Sequence, residues 1–175
     1  FSRFFGLLAQ RAFPAASFIR RREDFDYIEE PDIFHEIFGH TPLLTDPRFA
    51  AFSQAIGQAG HRADKADHAW LIRLYWFTIE FGLTQEAGKM KGLGSGLASS
   101  ISELEWATSG RPELRRFDVI DILRTPYRID ILQPVYFVIE DLADLFAAAG
   151  RDLLADVAQA RALGLHPPKY PPKVA

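Results

Sequence analysis

Two imidazoles lie close together in Pro31-Asp32-Ile33-Phe34-His35-Glu36-Ile37-Phe38-Gly39-His40, and a carboxylate, Glu80, lies far along the chain inside the apolar run Tyr75-Trp76-Phe77-Thr78-Ile79-Glu80-Phe81-Gly82. A carboxylate among such neighbours carries a large desolvation cost unless a cation or hydrogen bonds offset it. A fold that buries both stretches therefore has to bring two separate helices together at their polar residues. Two imidazoles and one distant carboxylate are the ligand set of a mononuclear non-haem iron(II) site, with open positions left for oxygen and water. An oxygenase is the leading reading.

The histidine spacing favours iron over zinc. In the zinc-protease motif the histidines are four apart and share one helix face, with the glutamate between them as base. Here they are five apart, which on a regular α-helix swings the second ring about 140° from the first. Both reach one ion only if the helix widens to i→i+5 bonding, a known device at functional sites, or ends near Gly39 and Thr41-Pro42. The spacing alone also fits two unrelated histidines at a helix end. For the second stretch, Ala66, Trp70, Leu74, Phe77 and Phe81 predict a helix from Ala66 to Phe81, ended by Gly82. Glu80 follows Trp76 by four and Phe77 by three, on the apolar-leaning face, where Arg73 is the alternative partner to a metal.

Further along stand Gly94-Ser95-Gly96-Leu97-Ala98-Ser99-Ser100, Phe13-Pro14-Ala15-Ala16-Ser17-Phe18-Ile19-Arg20 and Arg124-Thr125-Pro126-Tyr127-Arg128-Ile129-Asp130. With the two stretches above, these make the chain resemble the pterin-dependent aromatic amino acid hydroxylases from about residue 4 to about residue 146, most of all the bacterial phenylalanine 4-hydroxylase branch. The resemblance implies a mainly α, irregular helical basket with a few short strands. It implies iron(II), a tetrahydropterin such as tetrahydrobiopterin, and O2 as cosubstrate. It also implies hydroxylation of the ring of an aromatic amino acid, phenylalanine to tyrosine, with tryptophan or another aromatic amino acid as the alternative. By the same resemblance His35, His40 and Glu80 match the iron ligands. Phe4 matches an aromatic stacked on the pterin, Glu36 a carboxylate near the pterin and its water, and Tyr75 a tyrosine beside pterin and iron. Glu36 and Tyr75 are thus the catalytic candidates. Arg20 and Ser99 match the clamp on the substrate carboxylate, a task suited to a planar guanidinium, and Pro31 and Trp76 match the walls around its ring. Leu93 and Ser95 stand where the family commonly has tyrosine and alanine, and Ile28 where some animal members have threonine, so substrate preference and ring position stay open. The resemblance also implies that the N-terminal part of the family domain precedes Phe1.

Composition agrees with one domain and narrows the partners. At 175 residues and 48% hydrophobic content the chain buries a sizeable core. Its net charge of −3 gives no reason to expect a nucleic acid, and the short Arg20-Arg21-Arg22 run is followed at once by Glu23-Asp24. The absence of cysteine excludes thiolate ligands and disulfides and is compatible with the cytoplasm. No stretch approaches the roughly 20 apolar residues of a membrane span. A zinc hydrolase using His35, His40 and Glu36, or a helical module with a structural metal, are the readings from other classes.

The remaining elements read as scaffold. Asp46-Pro47 starts a helix that Gly57 and Gly60 close. His61 and His68 flank the next start as solvent-facing or capping residues. Lys89 to Gly96 reads as a glycine-rich loop. Ser100 and Glu103 form a capping box, which makes Glu103 and Glu105 cap and surface residues. Asp118 caps a short helix through Leu123, and Val135-Tyr136-Phe137-Val138-Ile139 reads as a strand. Two helices follow, Asp141 to Ala149 and Arg151 to Leu163, the second packing through Leu153, Leu154, Val157 and Ala158 and terminated by Gly164. Residues 1–165 thus form the catalytic domain and 166–175 a Pro-rich tail, extended or disordered. No heptad array is present, so the tetramerising helix of animal relatives is not expected and the chain reads as a monomer.

Overall fold

Asp46 opens the longest helix because its carboxylate accepts the Arg48 backbone N–H at 2.8 Å, and Pro47 occupies a first-turn position that needs no donor. This is α3 (Pro47–Arg62). It is preceded by α1 (Ser2–Ala9), a π-helical segment π1 (His35–His40) and α2 (Thr41–Leu44), and followed by α4 (Lys65–Tyr75), which runs into a second π-helical segment, π2 (Trp76–Glu80). The computed structural model describes residues 1–26 and 30–172, so the expectation at Ile28 lies outside the described residues.

Gly57 and Gly60 do not end α3; the helix runs on to Arg62. A Cβ at Gly57 would lie 2.4 Å from the Ala9 backbone nitrogen, and one at Gly60 2.2 Å from the Phe5 ring. The two glycines are therefore the seat on which α1 lies, not terminators. His68 is likewise not a surface residue. It is buried, its Nε2 is 3.0 Å from Gly60 O, and its ring centroid is 5.0 Å from that of Phe5. His61 is exposed, as expected.

Around α3 and α4 the core gathers Phe52, Ile56, Leu71, Leu74, Ile122, Leu123 and Phe137, each contributing about 1.5–3 kcal/mol by burial. The sheet is small, in the order β2-β1-β4-β3. At its centre β4 (Val135–Ile139) is wholly buried and runs parallel to β1 (Leu83–Glu86) and to β3 (Glu113–Arg116). The segment expected as a loop instead begins as β2 (Lys89–Gly92), paired antiparallel with β1. The turn residues Ala87 (φ 49°) and Gly88 (φ 76°) give the left-handed pair that a two-residue hairpin needs. β1 and β2 are mostly exposed, so no apolar alternation marks them.

After β2 come α5 (Ser95–Ala98), α6 (Ile101–Thr108), α7 (Val119–Arg124), α8 (Leu142–Ala147) and α9 (Leu153–Leu163). Ser100, Asp118, Asp141 and Asp152 cap α6 to α9 through their side chains. Glu103 departs from the expectation. Its carboxylate is buried and accepts from Gln133 N at 2.9 Å and from the Tyr136 hydroxyl, tying α6 to β4. On α9, Ala160 takes the core place expected of Ala158, which is exposed. From residue 165 to residue 172 the chain has no regular structure but is pinned by His166 N–H to Arg124 O, Lys169 to Glu113 and Arg128 to Pro171 O.

Candidate metal centre

Asp32 prepares the first histidine segment. Its Oδ1 accepts the His35 backbone N–H at 2.9 Å, and its carboxylate forks with Arg20 (Oδ2 to Nε 2.9 Å, Oδ1 to Nη2 2.8 Å). Both side chains are buried, and the Arg20 guanidinium holds the Asp32 carboxyl far below the usual carboxylate range. From this anchor the chain enters π1. Thr41 N–H bonds to Glu36 O, five residues back, and the wider turn puts His40 over His35. Of the two routes open to this spacing, the widened turn is the one taken: the helix continues into α2 and does not exit at Gly39. The second segment repeats the device, with Phe81 N–H bonded to Trp76 O at 2.8 Å. Instead of the regular helix expected to Phe81, α4 ends at Tyr75 and π2 carries Glu80.

These two turns meet. His35 Nε2 and His40 Nε2 are 2.9 Å apart, and Glu80 stands 3.2 Å from His40 (Oε1) and 3.5 Å from His35 (Oε2). Arg73 is not the partner of Glu80; it donates to Leu123 O and lies over the Trp70 ring. Two donors each about 2.1 Å from one divalent ion and at right angles stand about 3.0 Å apart, so the three groups fit a single ion. Glu36 also brings a carboxylate oxygen to within 4.8 Å of ligand atoms of both histidines. Glu80 is the nearer of the two carboxylates.

The electrostatics separate the two carboxylates. Burial pushes Glu80 up, but the charge and hydrogen bond of His40, with His35 and the Ser95 hydroxyl, hold it at about 2. Burial dominates at Glu36 and raises it, against the single Ala16 N–H that its Oε1 accepts at 3.0 Å; Oε2 is buried without a partner. Burial also opposes a charged His40 ring, yet Glu80 overrides it and lifts that pKa, while at His35 burial prevails and lowers it. The Ser99 hydroxyl donates to Ser95 O at 3.0 Å and stands 2.7 Å from His35 Nδ1. It therefore accepts from Nδ1–H, which leaves the Nε2 lone pair pointing inward.

A cavity of about 130 Å³ opens beside His35 and Glu80, lined among others by Pro31, Trp76, Phe81 and Ser99. Trp76 is fixed by stacking on Tyr127 at 4.3 Å and by Nε1–H donation to Gln133. Tyr75 lies on the other side, its hydroxyl buried and unpartnered, its pKa raised well above the usual range by burial. Phe4 is half-buried with its ring edge-on to Tyr75 at 5.1 Å. Arg20 does not line this cavity. It sits one layer behind, its Nη1 donating to Ser99 O at 2.6 Å. Asp32, Phe81, Tyr127 and Ser95 belong to the site without having been assigned a part in it from sequence. Each lies within or beside a stretch singled out there, and position in those stretches was the available signal.

Comparison with known proteins agrees with this geometry. Residues 2–155 match the family described as biopterin-dependent aromatic amino acid hydroxylase. The chain is 51% identical to the phenylalanine-4-hydroxylase of Vibrio cholerae, over 99% of this chain and 60% of the relative. It is 51% identical to that of Pseudomonas aeruginosa, over 100% of this chain and 67% of the relative. The solved apo structure of the cold-active phenylalanine hydroxylase from Colwellia psychrerythraea superposes with a TM-score of 0.91 at 48% identity, covering 96% of this chain and 66% of that one. This chain therefore spans about 60% of the length of the Vibrio cholerae relative. With the family match running across nearly all of its described fold, the chain belongs to the biopterin-dependent aromatic amino acid hydroxylases.

Proposed function

We propose that this chain is an iron(II)- and tetrahydropterin-dependent monooxygenase that hydroxylates the ring of an aromatic amino acid, L-phenylalanine to L-tyrosine. The observation that carries the proposal is the convergence of His35, His40 and Glu80 from two π-turns, within 3.5 Å of one another, beside a cavity walled by Pro31, Trp76 and Phe81. The names of the most similar relatives support the choice of phenylalanine. Bound iron and pterin supply the activation of O2 and the reducing electrons.

In this reading His35, His40 and Glu80 hold the metal on one face. Glu36, with its raised pKa and free Oε2, accepts or holds a proton at the pterin, and the neutral Tyr75 hydroxyl donates beside it. The Phe4 ring packs on the pterin. Trp76 and Pro31 wall the substrate ring, with the indole held rigid by Tyr127 and Gln133. The carboxylate clamp expected of Arg20 and Ser99 has Ser99 at the cavity wall and Arg20 one layer behind it, where the guanidinium, oriented by Asp32 and bonded to Ser99 O, acts on the substrate carboxylate through its charge and through Ser99, not by direct contact. Residues 1–165 serve as the catalytic domain and 166–175 as its Pro-rich tail, in a monomer working in the cytoplasm. The cysteine-free composition accords with that compartment, and no helix among the described residues is long and apolar enough to cross a membrane.

The test is anaerobic loading with ferrous iron, followed by tetrahydropterin, O2 and phenylalanine, tyrosine or tryptophan in turn. Pterin-stimulated oxygen uptake with formation of tyrosine from phenylalanine is expected. Zinc-dependent cleavage without oxygen consumption would instead mark a hydrolase.

A further inference from the structure

We propose that Ser95 is a positioning residue of this metal centre: its hydroxyl holds Glu80 Oε2, so that Oε1 is the oxygen turned toward the ion shared with His35 and His40. The inference rests on the reading of those three side chains as ligands.

Ser95 is completely buried where three elements meet. Its Oγ lies 2.8 Å from Glu80 Oε2, 3.0 Å from Ile79 O and 3.3 Å from His40 Nε2. A hydroxyl has one proton to give, and the carboxylate is both the nearer and the stronger acceptor of the two oxygens. Oε2, 3.5 Å from His35 Nε2, has a lone pair taken up by the Ser95 hydroxyl, whereas Oε1, 3.2 Å from His40 Nε2, has no such donor and is the oxygen left for a cation. A glutamate without such a donor can rotate about its side-chain bonds or offer both oxygens at once, and fixing it beforehand lowers the cost of ordering it on binding.

Backbone packing sets the place of the hydroxyl. A Cβ on Gly39 of π1 would lie 2.8 Å from Ser95 Cβ and 2.9 Å from Ser95 O, so α5 rests on π1 without slack. On the other side a Cβ on Gly94 would lie 2.1 Å from Glu80 O, which presses the start of α5 onto π2. The hydroxyl is thus delivered to Glu80 by two close backbone approaches and not by its own rotamer alone. Alanine at this position would keep the packing and remove only the donor.

The experiment is anaerobic titration of the full chain and of Ser95→Ala with ferrous iron, and with cobalt(II) as a spectroscopic probe. We expect Ser95→Ala to retain its circular dichroism spectrum, to bind either metal about 10-fold or more weakly, and to show altered cobalt absorption bands. A folded variant with unchanged affinity and unchanged bands overturns the proposal. Should Ser95→Ala fail to fold, infrared difference spectra of the unaltered chain, cobalt-loaded minus metal-free, decide the matter. A wide separation of the carboxylate stretches, lost in Glu80→Gln, supports binding through one oxygen, and a narrow separation overturns it. If the unaltered chain binds neither metal, the ligand reading itself fails, an outcome distinct from an affinity that ignores Ser95.

Discussion

The seam between α1 and α3 and the seam between π1 and π2 are both close approaches of helical segments, yet opposite rules build them. At the first, Gly57 and Gly60 admit Leu8 and Phe5, and apolar surfaces close on each other. At the second, the segments meet through two imidazoles and a carboxylate, and buried polar atoms remain unpartnered on Glu36, His40 and Tyr75, whereas α3 leaves only the Ser53 hydroxyl so. A buried polar atom left without a partner costs about 1–3 kcal/mol. The first seam is what a chain does to be stable; the second keeps groups short of partners that a bound ion, cofactor or substrate can satisfy. The π-turns belong with the second, because i→i+5 bonding widens the helical turn and so aims His40 and Glu80.

That contrast breaks most visibly at Glu80. Glu80→Ala removes the carboxylate nearest to both histidines, so we expect tight iron binding to be abolished while the metal-free protein stays folded. Equilibrium dialysis with ferrous iron, alongside circular dichroism, checks both halves; retention of iron would remove Glu80 from the centre. Arg20→Ala tests whether the polar seam also carries structure. Breaking a buried pair strands the Asp32 carboxylate, a loss of about 3–5 kcal/mol in chemical denaturation, and in the protein that remains folded the Michaelis constant for the amino acid should rise. The pair also has a pH signature. Asp32 has a lowered pKa in the folded state, so its contribution is complete above its unfolded value of about 3.9 and fades as the pH falls through the lowered one. The acid limb of the melting profile should therefore flatten in Arg20→Ala.

Gly57→Ala makes the converse break. The added methyl meets backbone, the Ala9 nitrogen, and cannot be relieved by a rotamer change. We expect a loss of about 1–3 kcal/mol with unchanged metal affinity in the folded protein. A weakened metal site would mean that the two seams are mechanically coupled.

The same division governs what can be read from sequence. The five-residue interval between His35 and His40 has only two structural solutions, so a widened turn was legible, and capped helices at Asp46, Asp118 and Ser100 announced themselves through local hydrogen bonds. The second π-turn was not legible, because one glutamate has no partner in its own segment to set an interval. Gly57 and Gly60 depart from the expectation because a glycine in a helical pattern looks alike whether it ends the helix or receives a neighbour; only the positions of Leu8 and Ala9 against Gly57, and of Phe5 against Gly60, about fifty residues earlier, tell them apart. Glu103 and His68 misled for a related reason. Their partners, Tyr136, Gln133 and Gly60, are distant or follow no periodic rule. Ser95 shows the limit at the site itself, since its standing where the family commonly has alanine marks a departure, yet what its hydroxyl holds is not visible until Glu80 is placed beside it.

The smallest expected effect is also the one that separates the two carboxylates. If Glu80 holds the metal and Glu36 handles a proton, Glu36→Gln should leave iron affinity within about threefold, roughly 0.65 kcal/mol, because the amide oxygen can still accept from Ala16 N–H. Turnover should fall nonetheless, as an amide cannot take up a proton. Stability supplies an independent reading. Burial raises the Glu36 pKa, so the folded state binds that proton more tightly than the unfolded chain. The stabilisation linked to it is present below the unfolded value of about 4.3 and is lost as the pH rises through the raised folded pKa. Glu36→Gln carries no such term, so its melting temperature relative to the unaltered chain should climb across that window. A large fall in iron affinity with a flat difference in melting temperature would instead make Glu36 a ligand and return the two carboxylates to a single role.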